Sequence, residues 1–138
     1  MILLDTNVVI DAHNPSPYQA WARSLIPAAV LESGAVINSI ILAELYAGPS
    51  EGEAIEEDMR RAGVLIVDLP AAASVICGRA YVRYRDARRK SRGGNAPATP
   101  LPDFFIGAHA ELMGWKLATR DSERFRLYFP DVELIEPA

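Results

Sequence analysis

Cysteine is nearly absent from this chain of 138 residues: Cys77 stands alone. An internal disulfide is excluded, and with it a disulfide-stapled secreted fold. Cys77 lies in an alanine-rich segment and reads as a buried, inert thiol. No apolar run approaches the ~20 residues of a membrane-spanning helix. Met1 leads straight into an apolar segment, so no charged leader region is expected, and the expected location is the cytoplasm. The two histidines, His13 and His109, are not spaced as a pair of metal ligands, and both read as structural. No serine sits in a nucleophile elbow. Gly93-Gly94 lacks the strand, helix and lysine of a phosphate loop.

What is present is a globular composition, 50% hydrophobic and 23% charged, with enough length to bury the core of a single domain spanning residues 1–138. The net charge of −4 argues mildly against a nucleic-acid partner, since such proteins usually carry a basic excess. The charge is uneven, however. Arg83, Arg85, Arg88, Arg89, Lys90 and Arg92 hold six of the 14 basic residues, which leaves the rest of the chain more acidic.

The apolar pattern alternates short unbroken runs with helical periods. Strands are expected at Ile2–Leu4, Ala35–Asn38, Val64–Val67, Trp115–Ala118 and Val132–Ile135. Helices are expected at Asn7–Ala12 with Thr6 or Asn7 near its N-cap, at Ser16–Glu32 with a kink or break at Pro27, and at Ser39–Ala47 with Ser39 as N-cap. Others are expected from Ser50 to Arg61, from Ala71 to Arg89, from Asp103 to Met113, and as a short turn of helix over Asp121–Leu127. Ser91 to Pro102, with two glycines and three prolines, reads as a long loop. Strands separated by helices imply right-handed crossovers, and so an α/β/α sandwich around a mostly parallel sheet of about five strands.

Four carboxylates stand out in this frame. Asp5 follows the first strand, where open α/β sheets place their ligands. Glu44 lies on an apolar helix face, where a carboxylate is costly to bury without a partner. Asp103 opens the helix before the fourth strand, and Asp121 follows that strand. If strands one, two and four are neighbours, all four face one crevice. Carboxylates so crowded repel unless protonated or neutralised by cations. Oxygen donors without cysteine or clustered histidine point to Mg²⁺ or Mn²⁺, a site suited to phosphodiester hydrolysis by an activated water. Each has a structural alternative: a cap for Asp5 and Asp103, a turn for Asp121, an arginine partner for Glu44.

The segments Leu3-Leu4-Asp5-Thr6-Asn7, Leu42-Ala43-Glu44-Leu45, Asp103-Phe104-Phe105-Ile106-Gly107-Ala108 and Leu117-Ala118-Thr119-Arg120-Asp121 resemble, in order and spacing, those of PIN-domain ribonucleases. The small size resembles the VapC toxins of VapBC toxin–antitoxin pairs. The resemblance implies a Mg²⁺- or Mn²⁺-dependent endoribonuclease that leaves 5′-phosphate and 3′-hydroxyl ends. It implies metal coordination first by Asp5 and Asp103, with Glu44 and Asp121 completing the site. Thr6, Asn7 and Thr119 match positions that support the carboxylates or bound water. A homodimer and a small antitoxin whose C-terminal tail occludes the site are also implied. One departure is Pro102, where many relatives carry a polar or small residue.

Two other readings fit the same motifs: a PIN-fold binding module without turnover, and a related metal nuclease acting on DNA. The stretch from Arg83 to Arg92 suits RNA phosphates, and equally a solvated helix end favoured by the helix dipole. Arg120 is placed to pair with a site carboxylate, to reach a substrate phosphate, or to remain a surface residue.

Overall fold

The computed structural model describes residues 1–91 and 93–138. In chain order the elements are β1 (Ile2–Leu4), α1 (Thr6–His13), α2 (Gln19–Glu32), β2 (Ala35–Asn38), α3 (Ser39–Ala47) and α4 (Gly52–Ala62). There follow β3 (Leu65–Val67), α5 (Ala73–Lys90), α6 (Pro102–Met113), β4 (Lys116–Ala118), α7 (Glu123–Tyr128) and β5 (Leu134–Ile135). The five strands form one sheet in the order β3-β2-β1-β4-β5, every neighbouring pair parallel. Every residue of β1 and β2 is buried, as expected of central strands covered by helices on both faces. This is the α/β/α sandwich that the alternating pattern implies.

The order of strands explains where a site can form. From β1 the chain winds outward through β2 to β3, then returns to the other side of β1 with β4. The winding direction reverses at β1, and the loops leaving β1 and β4 diverge around a crevice at their carboxyl ends. The register pairs Leu4 with Ala118, and the Asp5 amide donates to the Ala118 carbonyl at 2.9 Å. The ends of the two strands are thus level, and the residues following each begin at the same height.

The helix boundaries differ from expectation where capping decides them. Asp5 caps α1, its carboxylate accepting the Thr6 amide, so the helix begins at Thr6 and neither Thr6 nor Asn7 is the cap. Asn38, the last residue of β2, caps α3 in place of Ser39: its Oδ1 accepts the Ile41 amide at 3.0 Å. From its extended backbone the Asn38 side-chain oxygen reaches forward over the first turn, whereas Ser39 already has a helical place. Pro27 neither breaks nor splits α2, which runs continuously through it. A proline costs one ladder bond there, and burial of Ala22, Ile26 and Ala29 holds the helix across that gap. Pro102, not Asp103, opens α6, in keeping with proline's tolerance of the first helical position.

The core runs from the sheet into an aromatic cluster beneath α6 and α7. Phe104, Phe125 and Phe129 are fully buried, with Phe104 centred 5.9 Å from Phe129. Gly107 lets the Phe129 ring lie directly against α6: a Cβ at Gly107 would fall within 2.4–2.8 Å of three ring carbons. Since Phe129 is buried and cannot swing away, Gly107→Ala is expected to overpack the core at a cost on the order of 1–3 kcal/mol. Thermal unfolding should show a melting point lower by several degrees; an unchanged value would refute this account of the glycine.

Candidate active site

Asp5 sits at the switch point and is only 4% exposed. Its Oδ1 accepts the Thr6 amide at 2.8 Å. Its Oδ2 accepts the Thr119 hydroxyl at 2.8 Å and the Asn7 amide at 3.1 Å. Asp5 is thus the cap of α1 through Oδ1, while Oδ2 is held by side chains from both loops. Thr119, buried at the end of β4, also accepts the Asp121 amide at 3.0 Å and the Asn7 side chain at 3.3 Å. One threonine hydroxyl thus ties the loop after β4 to the loop after β1. Asn7 closes the link by accepting the Arg120 amide at 3.3 Å.

The other carboxylates come in from the flanks. Glu44 projects from α3 and its Oε1 accepts the Thr6 hydroxyl at 2.7 Å. Asp103, in the first turn of α6, is held by Arg124 of α7 at 3.1 Å. Asp121 is exposed on the loop after β4. Asp5, Glu44, Asp103 and Asp121 line one open cavity of about 220 Å³, together with Thr6, Asn7, Ile10 and Arg120. Among the described residues, no three carboxylates stand close enough to grip one ion as placed.

This cavity binds protons more readily than separate carboxylates would. Burial pushes Asp5 up to about 7, against an ordinary value of 3.8; the Thr119 bond resists that rise, and the charges of Asp103 and Glu44 add to it. Burial also raises Glu44, opposed by Thr6 and reinforced by Asp103. Asp103 is raised by burial, with Arg124 opposing and Asp121 reinforcing. All three shifts have the same origin: negative charge concentrated in poorly solvated space. A divalent cation relieves that cost as effectively as protons do, and an all-oxygen donor set suits a hard ion. The residues present therefore fit Mg²⁺ or Mn²⁺.

Several contacts in and around the site carry no signal in the sequence. Asp11, 3% exposed in α1, pairs with Arg120 at 2.5 Å, and the Arg120 guanidinium lies 5.1 Å from the Tyr18 ring. Arg120 thus pairs with a carboxylate outside the four, while lining their cavity. The reasoning applied to Glu44, a carboxylate among apolar helix neighbours, would also have found Asp11. Arg124 beside Asp103 had no signal beyond its place in the segment after Asp121. Asn38 donates its side-chain amide to Nδ1 of buried His109 at 3.0 Å, and burial lowers the proton affinity of that ring, in keeping with its structural reading. Cys77 is buried and its thiol is pushed up to about 11, which keeps it unreactive.

Three residues of the basic stretch are engaged with their own surroundings. Arg83 donates to the Tyr128 carbonyl, Arg88 to the Tyr84 hydroxyl, and Arg89 pairs with Asp86. Arg92 lies outside the described residues.

The raised affinity of Asp5 for its proton has a stability consequence. The folded state binds that proton more tightly than the unfolded chain, so the contribution is complete below about 3.8 and is lost as pH rises to about 7. In chelator, the wild-type melting point should fall across this interval relative to that of Asp5→Asn, which should be the more stable protein at pH 7. Parallel pH profiles for the two proteins would contradict the burial of an unfavourable charge at Asp5.

The fold is shared with several solved complexes. VapBC2 from Rickettsia felis, bound to a DNA fragment from its promoter, superimposes with a TM-score of 0.70 at 22% identity, covering 100% of each chain. DNA-bound VapBC from Salmonella typhimurium gives 0.68 at 22% identity, over 98% of this chain and 96% of that one. FitAcB from Neisseria gonorrhoeae gives 0.59 at 24% identity, over 99% and 98% of the two chains. At these identities the likeness is one of fold. None of the curated proteins matches the sequence significantly. The family model of the PIN domain matches residues 2–129, nearly the whole length, and the chain belongs to the PIN-domain family.

Proposed function

We propose that the protein is a metal-dependent endoribonuclease and the toxin of a type II toxin–antitoxin pair, acting in the cytoplasm as one nuclease domain spanning residues 1–138. The observation that carries this reading is the gathering of Asp5, Glu44, Asp103 and Asp121 around one cavity at the switch point of the sheet. Membership of the PIN-domain family supports nuclease chemistry. The toxin role draws on the likeness to VapBC and FitAcB complexes and carries with it a small antitoxin partner and a homodimer. Among the described residues, no helix is long and apolar enough to cross a membrane.

In this reading Asp5 and Asp103 hold Mg²⁺ or Mn²⁺, and Glu44 and Asp121 complete the site or orient its water. A bound ion would polarise the scissile phosphate and lower the pKa of a water. The chain supplies the placement. Thr119 and Asn7 fix the Asp5 carboxylate in one orientation, and Thr6 does the same for Glu44. Because these donors are already in place, Asp5 and Glu44 keep their orientation when a cation is bound. Asp103 must exchange its Arg124 contact for the cation, which leaves the guanidinium available to an anion.

Asp5→Asn is expected to lower Mg²⁺-dependent cleavage of single-stranded RNA by at least about a hundredfold while the protein stays folded. Mg²⁺ should raise the melting point of the wild type more than that of the variant. Undiminished cleavage by Asp5→Asn would overturn the site assignment. Single-stranded DNA assayed beside RNA separates the ribonuclease from a DNA-directed relative, and absence of Mn²⁺ binding near neutral pH would favour a binding module.

A further inference from the structure

A second cavity adjoins the acidic one. Its volume is about 280 Å³, and it shares Asp103 and Asp121 with the first as a common wall. Its other walls are Tyr84 of α5 and Glu123, Arg124, Leu127 and Tyr128 of α7. A strand whose phosphate lies on a cation held by the shared carboxylates would have this space directly beside it.

The lining distinguishes among occupants. With Asp103 and Asp121 committed to the acidic site, Glu123 and the released Arg124 are the charged groups this cavity has to offer a ligand. One carboxylate beside one guanidinium suits a neutral group that carries both N–H donors and acceptors better than a second phosphate, which Glu123 would repel. The remaining surface is aromatic and apolar. Tyr84 and Tyr128 meet edge to face, 5.6 Å between centroids, and the Arg124 guanidinium lies 5.2 Å from the Tyr84 ring. The Tyr84 ring is held at its hydroxyl by Arg88 at 2.9 Å, and the backbone of Tyr128 by Arg83, which donates to its carbonyl at 3.1 Å. A ring held as Tyr84 is loses little freedom when a flat group is laid against it. Leu127, a large apolar side chain of the lining, is 65% exposed.

We propose that this cavity is a nucleobase subsite that takes a guanine of single-stranded RNA next to the bond being cut, a proposal that rests on the ribonuclease reading of the adjoining site. A base supplies the flat face that an aromatic and apolar wall accommodates. Guanine adds N–H donors on its Watson–Crick edge for Glu123, and O6 and N7 as acceptors for Arg124. The subsite turns a general phosphodiester cutter into one that selects its position on the strand.

The test uses Asp5→Asn protein in Mg²⁺, so that RNA is bound without being consumed. The probes are uridine pentamers with a single guanosine at each successive position, and the same set with that base removed. One position should bind about tenfold or more tighter than the uridine pentamer, the scale of one stacked and recognised base. The advantage should vanish with the abasic probe and with Leu127→Glu, whose exposed site leaves the melting point unchanged. Equal binding at every position, no binding at all, or an advantage that survives Leu127→Glu would overturn the subsite. Cleavage of the same probes by the wild type is measured alongside. Cleavage without a positional binding advantage retains the ribonuclease and rejects the subsite. A positional advantage without cleavage by the wild type retains a base-binding pocket and rejects the ribonuclease.

Discussion

The hydrogen bond from the Thr119 hydroxyl to the Asp5 carboxylate joins residues 114 apart in sequence, and the site is built on it. It crosses from the end of β4 to the end of β1, the two strands between which the winding of the sheet reverses. Both side chains are buried, so the bond is formed in a medium where an unmet donor or acceptor is costly. That cost holds the loops together. The same Thr119 oxygen accepts from Asn7 and from the Asp121 amide, so the two loops share one anchor.

The second constraint is charge. A fold that draws four carboxylates to one cavity stores electrostatic repulsion, and the shifts at Asp5, Glu44 and Asp103 express it. The chain moderates the repulsion without abolishing it. Arg124 leans on Asp103, Thr6 donates to Glu44, and Arg120 is drawn off to Asp11 at the cavity's edge. A site neutralised fully by its own arginines would have little use for an added cation. One left wholly unneutralised would weaken the fold. The observed compromise keeps the protein folded and leaves the carboxylates available.

Much of the fold was legible in the sequence because each cue was local. Ile2–Leu4 and Ala35–Asn38 announce buried strands by unbroken apolar runs, and Gly63 and Gly114 end their helices in the left-handed conformation that favours glycine. The boundaries were less legible where a side chain could act at either of two neighbouring positions. Asn38 capping α3 in place of Ser39 is such a case, as is Asp5 capping α1. Pro27 misleads because its penalty is local while the burial that overcomes it is tertiary.

The sequence by itself determined which residues could do chemistry. An almost cysteine-free chain with isolated histidines and acidic residues after its strands leaves oxygen ligands as the available donors. It also determined the α/β order, because periods of two kinds alternate along it. Only the tertiary structure decided that Asp5 lies beside Thr119, that Arg124 reaches Asp103, and that Tyr84 and Tyr128 line a cavity with Asp121. Such contacts span from about twenty to more than a hundred residues, and no local propensity encodes them. They follow from strand order and helix packing, which are settled by burying the whole apolar surface at once.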